Sequence, residues 1–315
     1  MKKISLIGAG NIGGELAAIA ASKSLGNIML IDIEEGIARG KSLDLSQSGV
    51  VRNFSSKING TSNLSKIKDS DVIIVTAGIA RKPGMSRDDL IITNLKIMTS
   101  IGNAIKTYSP KAFVICVTNP LDAMTWILKK ISGIKKNMIV GMAGILDSSR
   151  FRFFLSEEIK VSSANIQTMV LGGHGDTMVP MLNYTSISGI PILEFIKEGK
   201  LTMSTLEKII KRTRNGGGEI VGLLKSSSAY YAPAISAIEM AESFLLDQKK
   251  LLPCSVYLNG EYNIKDLFIG VPVIIGKKGV EDIRELVFSK KEQLEFYKSV
   301  KAVKKLTEKC KKLLE

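Results

Sequence analysis

The amino-acid sequence predicts an α/β fold, a doubly wound parallel sheet joined to an α+β C-terminal unit, and three observations carry that reading. Short apolar runs alternate with helical stretches across residues 1–145. Apolar runs lie on both sides of those helices, which calls for a sheet covered on both faces. From residue 146 onward the alternation stops, and hairpin-like strands and longer helices take its place.

The elements follow in order. Ile4–Ile7 reads as a strand, then a glycine turn, then a helix over Glu15–Ser24 that Gly26 stops. Ile28–Ile33 is the next strand, followed by a helical stretch over 36–48 and a strand over Asp71–Ala77. A long helix spans Asp88–Thr107 and ends before Pro110. Phe113–Val117 and Met138–Val140 are buried strands flanking a helix over Met124–Ile131. The second half opens on a helix over Phe151–Glu158, then strands over Ile166–Leu171 and Met178–Ile187. Helices over 203–214 and 217–245, strands between Cys254 and Ile275, and an amphipathic C-terminal helix complete it.

The 315 residues are 45% hydrophobic and 23% charged, an ordinary globular composition. Length suggests two domains, 1–145 and 146–315, with no linker-like composition between them. No apolar run reaches the roughly 18 to 20 residues that a bilayer requires, which excludes a membrane protein. Met1-Lys2-Lys3 and the small residues at 17–21 imitate a secretory signal, but Glu15 and the glycines at 8, 10, 13 and 14 break it. Cys116, Cys254 and Cys310 are odd in number and widely spaced, so neither a disulfide framework nor a zinc site is expected. Cys116 reads as a small core residue, and a reducing cytoplasm is the natural compartment.

The net charge of +14 is the unusual feature. It raises nucleic acid or a membrane surface as partners. The lysines are dispersed, however, and the C-terminal cluster interleaves with Val300, Val303, Leu306 and Leu313 at helical spacing. That is a solvated face over an apolar stripe, so neither partner is expected, and the field suits small polyanionic substrates.

Gly8-Ala9-Gly10-Asn11-Ile12-Gly13 fits GxGxxG, a weak match alone but one placed between an apolar strand and a helix. Gly8 permits the tight turn, Gly10 lets the backbone approach a pyrophosphate, and Gly13 allows close helix–strand packing. The helix N-terminus adds free N–H groups and a positive dipole. Asp32 ends the second strand, where a carboxylate accepts from ribose hydroxyls and repels a 2′-phosphate, so NAD is favoured over NADP.

His174 is the only histidine, set among glycines in Gly172-Gly173-His174-Gly175-Asp176. It is the one side chain whose ordinary pKa suits proton transfer near neutrality. Asp147 and Arg150 share a face if their segment is helical. Arg81 and Arg87 bracket Lys82-Pro83-Gly84-Met85-Ser86, a polar segment between strand and helix that reads as a mobile lid.

These motifs, with Val117-Thr118-Asn119-Pro120 and Leu146-Asp147-Ser148-Ser149-Arg150-Phe151-Arg152, occur in one order over nearly the whole chain. Together they resemble the lactate/malate dehydrogenase superfamily, and within it the lactate dehydrogenase-like malate branch, which Arg214–Val221 and Ala229–Ala234 also resemble. The resemblance implies a Rossmann-type NAD-binding half, with Gly8, Gly10, Asn11, Ile12, Gly13, Asp32, Asn94, Val117 and Asn119 at the cofactor. It implies His174 as the proton-transfer group, Asp147 as its partner, Arg150 on the substrate C1 carboxylate and Arg87 on the C2 oxygen. Asn119 would bond near the nicotinamide and that oxygen.

Arg81 would face the C3 substituent, where lactate enzymes commonly carry Gln, and would pair with the second carboxylate of oxaloacetate. Ala229, where lactate enzymes often carry Thr, agrees. The implied reaction interconverts malate and oxaloacetate in a homo-oligomer, dimer or tetramer. Two alternatives stay open: a dehydrogenase of lactate or another 2-hydroxy acid, and a non-catalytic nucleotide- or nucleic-acid-binding protein on the same scaffold.

Overall fold

The computed structural model describes residues 1–79 and 87–314, without the side chains of Arg87 and Asp88. Arg81 therefore lies outside the described residues. Within them the chain begins as a βα alternation: β1 (Lys3–Ile7), α1 (Asn11–Ser22), β2 (Asn27–Ile31), α2 (Glu35–Arg52) and β3 (Ile58–Thr61). It continues with β4 (Val72–Val75), α3 (Arg87–Tyr108), β5 (Phe113–Cys116), α4 (Leu121–Ser132) and β6 (Ile139–Gly141). These strands are parallel and lie in the order β3-β2-β1-β4-β5-β6. β1 pairs with β2 on one side (Ile4↔Ile28) and β4 on the other (Ile4↔Val72), so the strand order reverses there. A crevice opens at such a reversal, beyond the C-terminal ends of the strands.

The second half comprises α5 (Gly144–Ile159) and five two-residue strands, β7 (Ile166–Gln167), β8 (Val170–Leu171), β9 (Val179–Pro180), β10 (Ser186–Ile187) and β11 (Ile190–Pro191). Then follow α6 (Ile192–Lys197), α7 (Met203–Leu224), α8 (Tyr231–Leu245), β12 (Lys250–Asn259), β13 (Lys265–Gly276), β14 (Gly279–Ile283) and α9 (Lys290–Leu314). β12 joins β6 antiparallel through Ser255↔Gly141, where small residues let the backbones approach, and one nine-stranded sheet results.

Both faces of that sheet are covered, as runs such as Val72–Val75 and Phe113–Cys116, buried at every position, require. On one face Ala17, Ala20 and Ala21 of α1 meet Ile238 and Ala241 of α8, and Phe113 stacks on Phe244 at 4.5 Å. On the other, Ile91, Met98, Met124, Ile127 and Cys310 pack from α3, α4 and α9. A third cluster joins Phe151 and Leu155 of α5 to Leu206 and Ile209 of α7. The three cysteines are free and buried, and desolvation pushes the Cys116 thiol up to about 11. No helix among the described residues is long and apolar enough to cross a membrane.

Several elements differ from the sequence-based expectation. α1 starts at Asn11 rather than Glu15, because the glycines are compatible with helix once packing demands it. The stretch 217–245 is not one helix: α7 runs through Gly216–Gly218 to Leu224, and the break falls at 225–230. Lys225 caps α7 at φ 59°, three serines follow, and Pro233 sits in the first turn of α8, where a missing N–H costs nothing. Met178–Ile187 forms only the ends of two short strands around a turn at Leu182–Tyr184.

Candidate active site

The cofactor end rests on how each glycine is used. Gly8 has φ +109°, and a Cβ there would lie 2.5 Å from Thr76 Oγ1. A Cβ on Gly13 would fall 1.8 Å from the Gly8 carbonyl oxygen, so α1 packs on the turn only because position 13 is bare. Gly10 is different: a Cβ there would meet nothing within 4 Å. The chain itself does not demand this glycine, and its bareness leaves the backbone open to a ligand. No side chain caps the α1 N-terminus at Gly10, so its amides remain available to phosphate.

Asp32 follows β2 and is held by two main-chain donors, Ala9 N–H at 2.6 Å and Glu34 N–H at 3.1 Å. A dinucleotide with an unmodified ribose fits this set: bare turn, uncapped helix and carboxylate. Asn11 donates to Ser227 Oγ at 3.1 Å, and Ile12 packs partly buried against the core. The position of Ser227 in the α7–α8 connection ties the turn to the second half.

Asn94 is fully buried in α3. It donates to the Asn119 carbonyl at 2.8 Å and the Ile79 carbonyl at 3.2 Å, and accepts from Ile79 N–H at 2.9 Å. It thus staples the loops after β4 and β5 together, a structural task beyond the cofactor-side place that the resemblance implied for Asn94. Val117 follows β5 and is buried, and Asn119 precedes Pro120 through a cis peptide with its own side chain exposed. Arg87 is the first residue of α3.

α5 begins beside the C-terminal end of β6 and presents Asp147 and Arg150 on one face. Asp147 is buried and serves two donors with separate oxygens: Arg150 Nη1 at 3.2 Å on Oδ1, and His174 Nδ1 at 2.8 Å on Oδ2. A carboxylate can only accept, so it places the neutral ring's proton on Nδ1 and leaves Nε2 as the base. Burial alone would depress His174, and the Arg150 charge does too. The charge and hydrogen bond of Asp147, aided by the Asp122 charge, outweigh both and hold the imidazole above its ordinary value.

His174 is delivered by a loop anchored at three points. Gly172 exchanges main-chain hydrogen bonds with Gly270 of β13 at 2.9 and 3.0 Å. Gly173 N–H donates to Ser299 Oγ of α9 at 2.8 Å, and His174 N–H to Asp122 Oδ2 of α4 at 3.0 Å. The glycines of α7 complete the setting, since Gly216 and Gly217 lie against Arg150. A Cβ on Gly216 would come within 3.1 Å of Arg150 Cδ. From sequence, one helix ends at 214 and the next begins at 217, and nothing there foretells that Gly216 sits against Arg150.

Known proteins resemble this chain over nearly its whole length. Residues 2–141 match the lactate/malate dehydrogenase NAD binding domain, and residues 145–314 the lactate/malate dehydrogenase alpha/beta C-terminal domain. A malate dehydrogenase of Methylobacterium radiotolerans is 55% identical over 309 residues, 98% of this chain and 97% of that protein. The crystal structure of Cryptosporidium parvum malate dehydrogenase superposes with a TM-score of 0.96 at 47% identity, covering 99% of each chain. The lactate dehydrogenase of the same organism, solved with lactic acid and nicotinamide adenine dinucleotide, gives 0.95 at 42% identity over 98% of each chain. With both halves matched and the identity sustained from end to end, the chain belongs to the lactate/malate dehydrogenase family.

Proposed function

We propose that the protein is an NAD-dependent malate dehydrogenase that interconverts (S)-malate and oxaloacetate, with His174 as the proton-transfer group. The observation that carries this reading is the chain of contacts from Arg150 through Asp147 to the His174 ring. Residues 1–145 hold the cofactor, and residues 146–315 supply the substrate and proton-transfer groups.

NAD held at the glycine turn and Asp32 would supply the hydride acceptor for C2, and NADH the hydride donor in the reverse direction. The protein's own groups do the rest. His174 Nε2 takes the hydroxyl proton of malate, and Asp147 stabilises the imidazolium that forms. Arg150 holds the C1 carboxylate with a planar, two-donor geometry, which fixes C2 in the reactive orientation. Arg87 polarises the C2 oxygen, and Asn119 bonds near it. Gly8, Gly10, Asn11, Ile12 and Gly13 border the pyrophosphate, Asp32 the adenosine ribose, and Asn94 and Val117 the loops beside the nicotinamide.

Arg81 selects the substrate. An arginine stays charged and pairs with the C4 carboxylate of oxaloacetate, whereas pyruvate offers only a methyl group. Losing one partner of a desolvated pair costs about 2 to 5 kcal/mol. The 55% identity to a malate dehydrogenase supports the same choice. This chemistry suits the tricarboxylic acid cycle in the cytoplasm. Apolar side chains left exposed on α2 (Leu43, Val50, Val51) and α8 (Tyr231, Ile235), both packed on α1, support a homo-oligomer, dimer or tetramer.

His174→Asn tests the mechanism. Turnover should fall by about 10²- to 10⁴-fold, while NADH binding followed by fluorescence stays near wild type. Unchanged turnover would remove His174 from the reaction.

A further inference from the structure

Two carboxylates approach His174, and the reaction as described uses only one. Asp122 lies in the first turn of α4 and is 5% exposed. Its Oδ2 accepts the His174 main-chain N–H at 3.0 Å, and its Oδ1 accepts the Ser255 hydroxyl of β12 at 2.6 Å. α4 is capped at Pro120, directly after Asn119, so Asp122 stands three residues beyond Asn119. We propose that Asp122 is a positioning residue for the proton transfer: an ionised carboxylate that fixes the His174 main chain to the Asn119 turn and adds its negative charge to the field at the ring. This inference rests on the reading of His174 as the proton-transfer group.

Three arguments support it. First, a buried carboxylate is costly unless donors meet it, and Asp122 has two, on separate oxygens. A packing role alone would be met more cheaply by an apolar side chain. Second, burial holds the Asp122 carboxyl above its ordinary value, and the Ser255 and His174 donors, which only the carboxylate can meet on both oxygens, limit that rise. Third, the Asp122 charge raises the His174 imidazole.

The other groups around the ring are few among the described residues. α5 brings Asp147 and Arg150, α9 brings the neutral Ser299 and Val303, and β13 brings the bare Gly270. Asp176 lies on the loop itself. Arg214 of α7 is engaged by the Met178 carbonyl and Glu295. Asp122 is thus one of two anions that raise the imidazole, against Arg150, which lowers it.

The single histidine makes the test direct, because its ring Cε1–H gives one NMR signal that needs no assignment. Asp122→Asn keeps both hydrogen bonds, with the amide oxygen accepting from His174 N–H and the amide nitrogen donating to Ser255 Oγ, and removes only the charge. In NADH-saturated protein the His174 titration should move to lower pH. The alkaline limb of oxaloacetate reduction should move with it, lowering kcat/KM at the wild-type midpoint on the order of two- to fivefold. Ser255→Ala, which keeps the carboxylate and removes its hydroxyl donor, should shift both in the same direction by less. A purely packing role changes stability and leaves the titration in place. Wild-type titration and pH profile in both variants overturn the role of Asp122, and they leave His174 in the reaction unless His174→Asn also keeps its turnover.

Discussion

At the residue scale the site is a sequence of charges in which each group sets the state of the next. Asp147 divides its oxygens between Arg150 and His174, and that division fixes both the tautomer and the orientation of the ring. Asp147→Asn would present an amide to Nδ1, and its N–H favours the wrong tautomer. kcat should fall by about 10²- to 10⁴-fold with little change in NADH affinity; a near-normal kcat would show that the ring is held elsewhere. Gly216→Ala tests the space beside Arg150. The added methyl, 3.1 Å from Cδ, should displace the guanidinium and raise the KM for oxaloacetate more than it lowers kcat. The raised imidazole has a sign that kinetics can read. Malate oxidation needs the neutral ring, so its acid limb should lie at higher pH than an unperturbed imidazole gives. Oxaloacetate reduction needs the imidazolium and should persist to correspondingly higher pH. Limbs at or below the ordinary imidazole value would contradict the Asp147 pairing.

At the element scale α5 does two jobs on different faces. Asp147 and Arg150 point to the site, while Phe151 and Leu155 are buried in the cluster shared with α7. Phe151→Ala should destabilise the fold by about 3 to 5 kcal/mol, measured by urea denaturation; a loss under 1 kcal/mol would mean that the cluster repacks around the gap. The periodicity of the first half made its strands legible, since central strands buried on both faces leave long apolar runs. β3 (Ile58–Thr61) left no such trace, because it is an edge strand with Asn59 and Gly60 in the middle. The break between α7 and α8 was misplaced: it falls at 225–230, and Gly216 lies inside α7, where an added Cβ would crowd Arg150 Cδ at 3.1 Å. The glycine turn, Asp32 and His174 were visible as local patterns. Asp122 was not, because its partners His174 and Ser255 lie 52 and 133 residues away, and only the fold brings them to it.

At the scale of the whole molecule, the sheet crosses from the cofactor half to the substrate half through β6 and β12, and α8 closes back over α1. The groups assigned to hydride and proton transfer are therefore mounted on one continuous scaffold rather than on two hinged bodies. The net charge of +14 surrounds this scaffold with a field that attracts a dicarboxylate. kcat/KM for oxaloacetate should fall as salt is raised from low to about 0.15 M, where the Debye length is about 8 Å; insensitivity to salt would confine the charge to solubility. The central claim is the identity of the substrate, on which the proposed roles of Arg81, Arg150 and His174 all depend. Its most direct test is NADH oxidation with oxaloacetate and pyruvate assayed side by side on the same preparation. A preference for oxaloacetate of about 30-fold or more, the lower end of the cost of an unpaired Arg81, is the result expected. Equal rates, or a preference for pyruvate, would contradict the account.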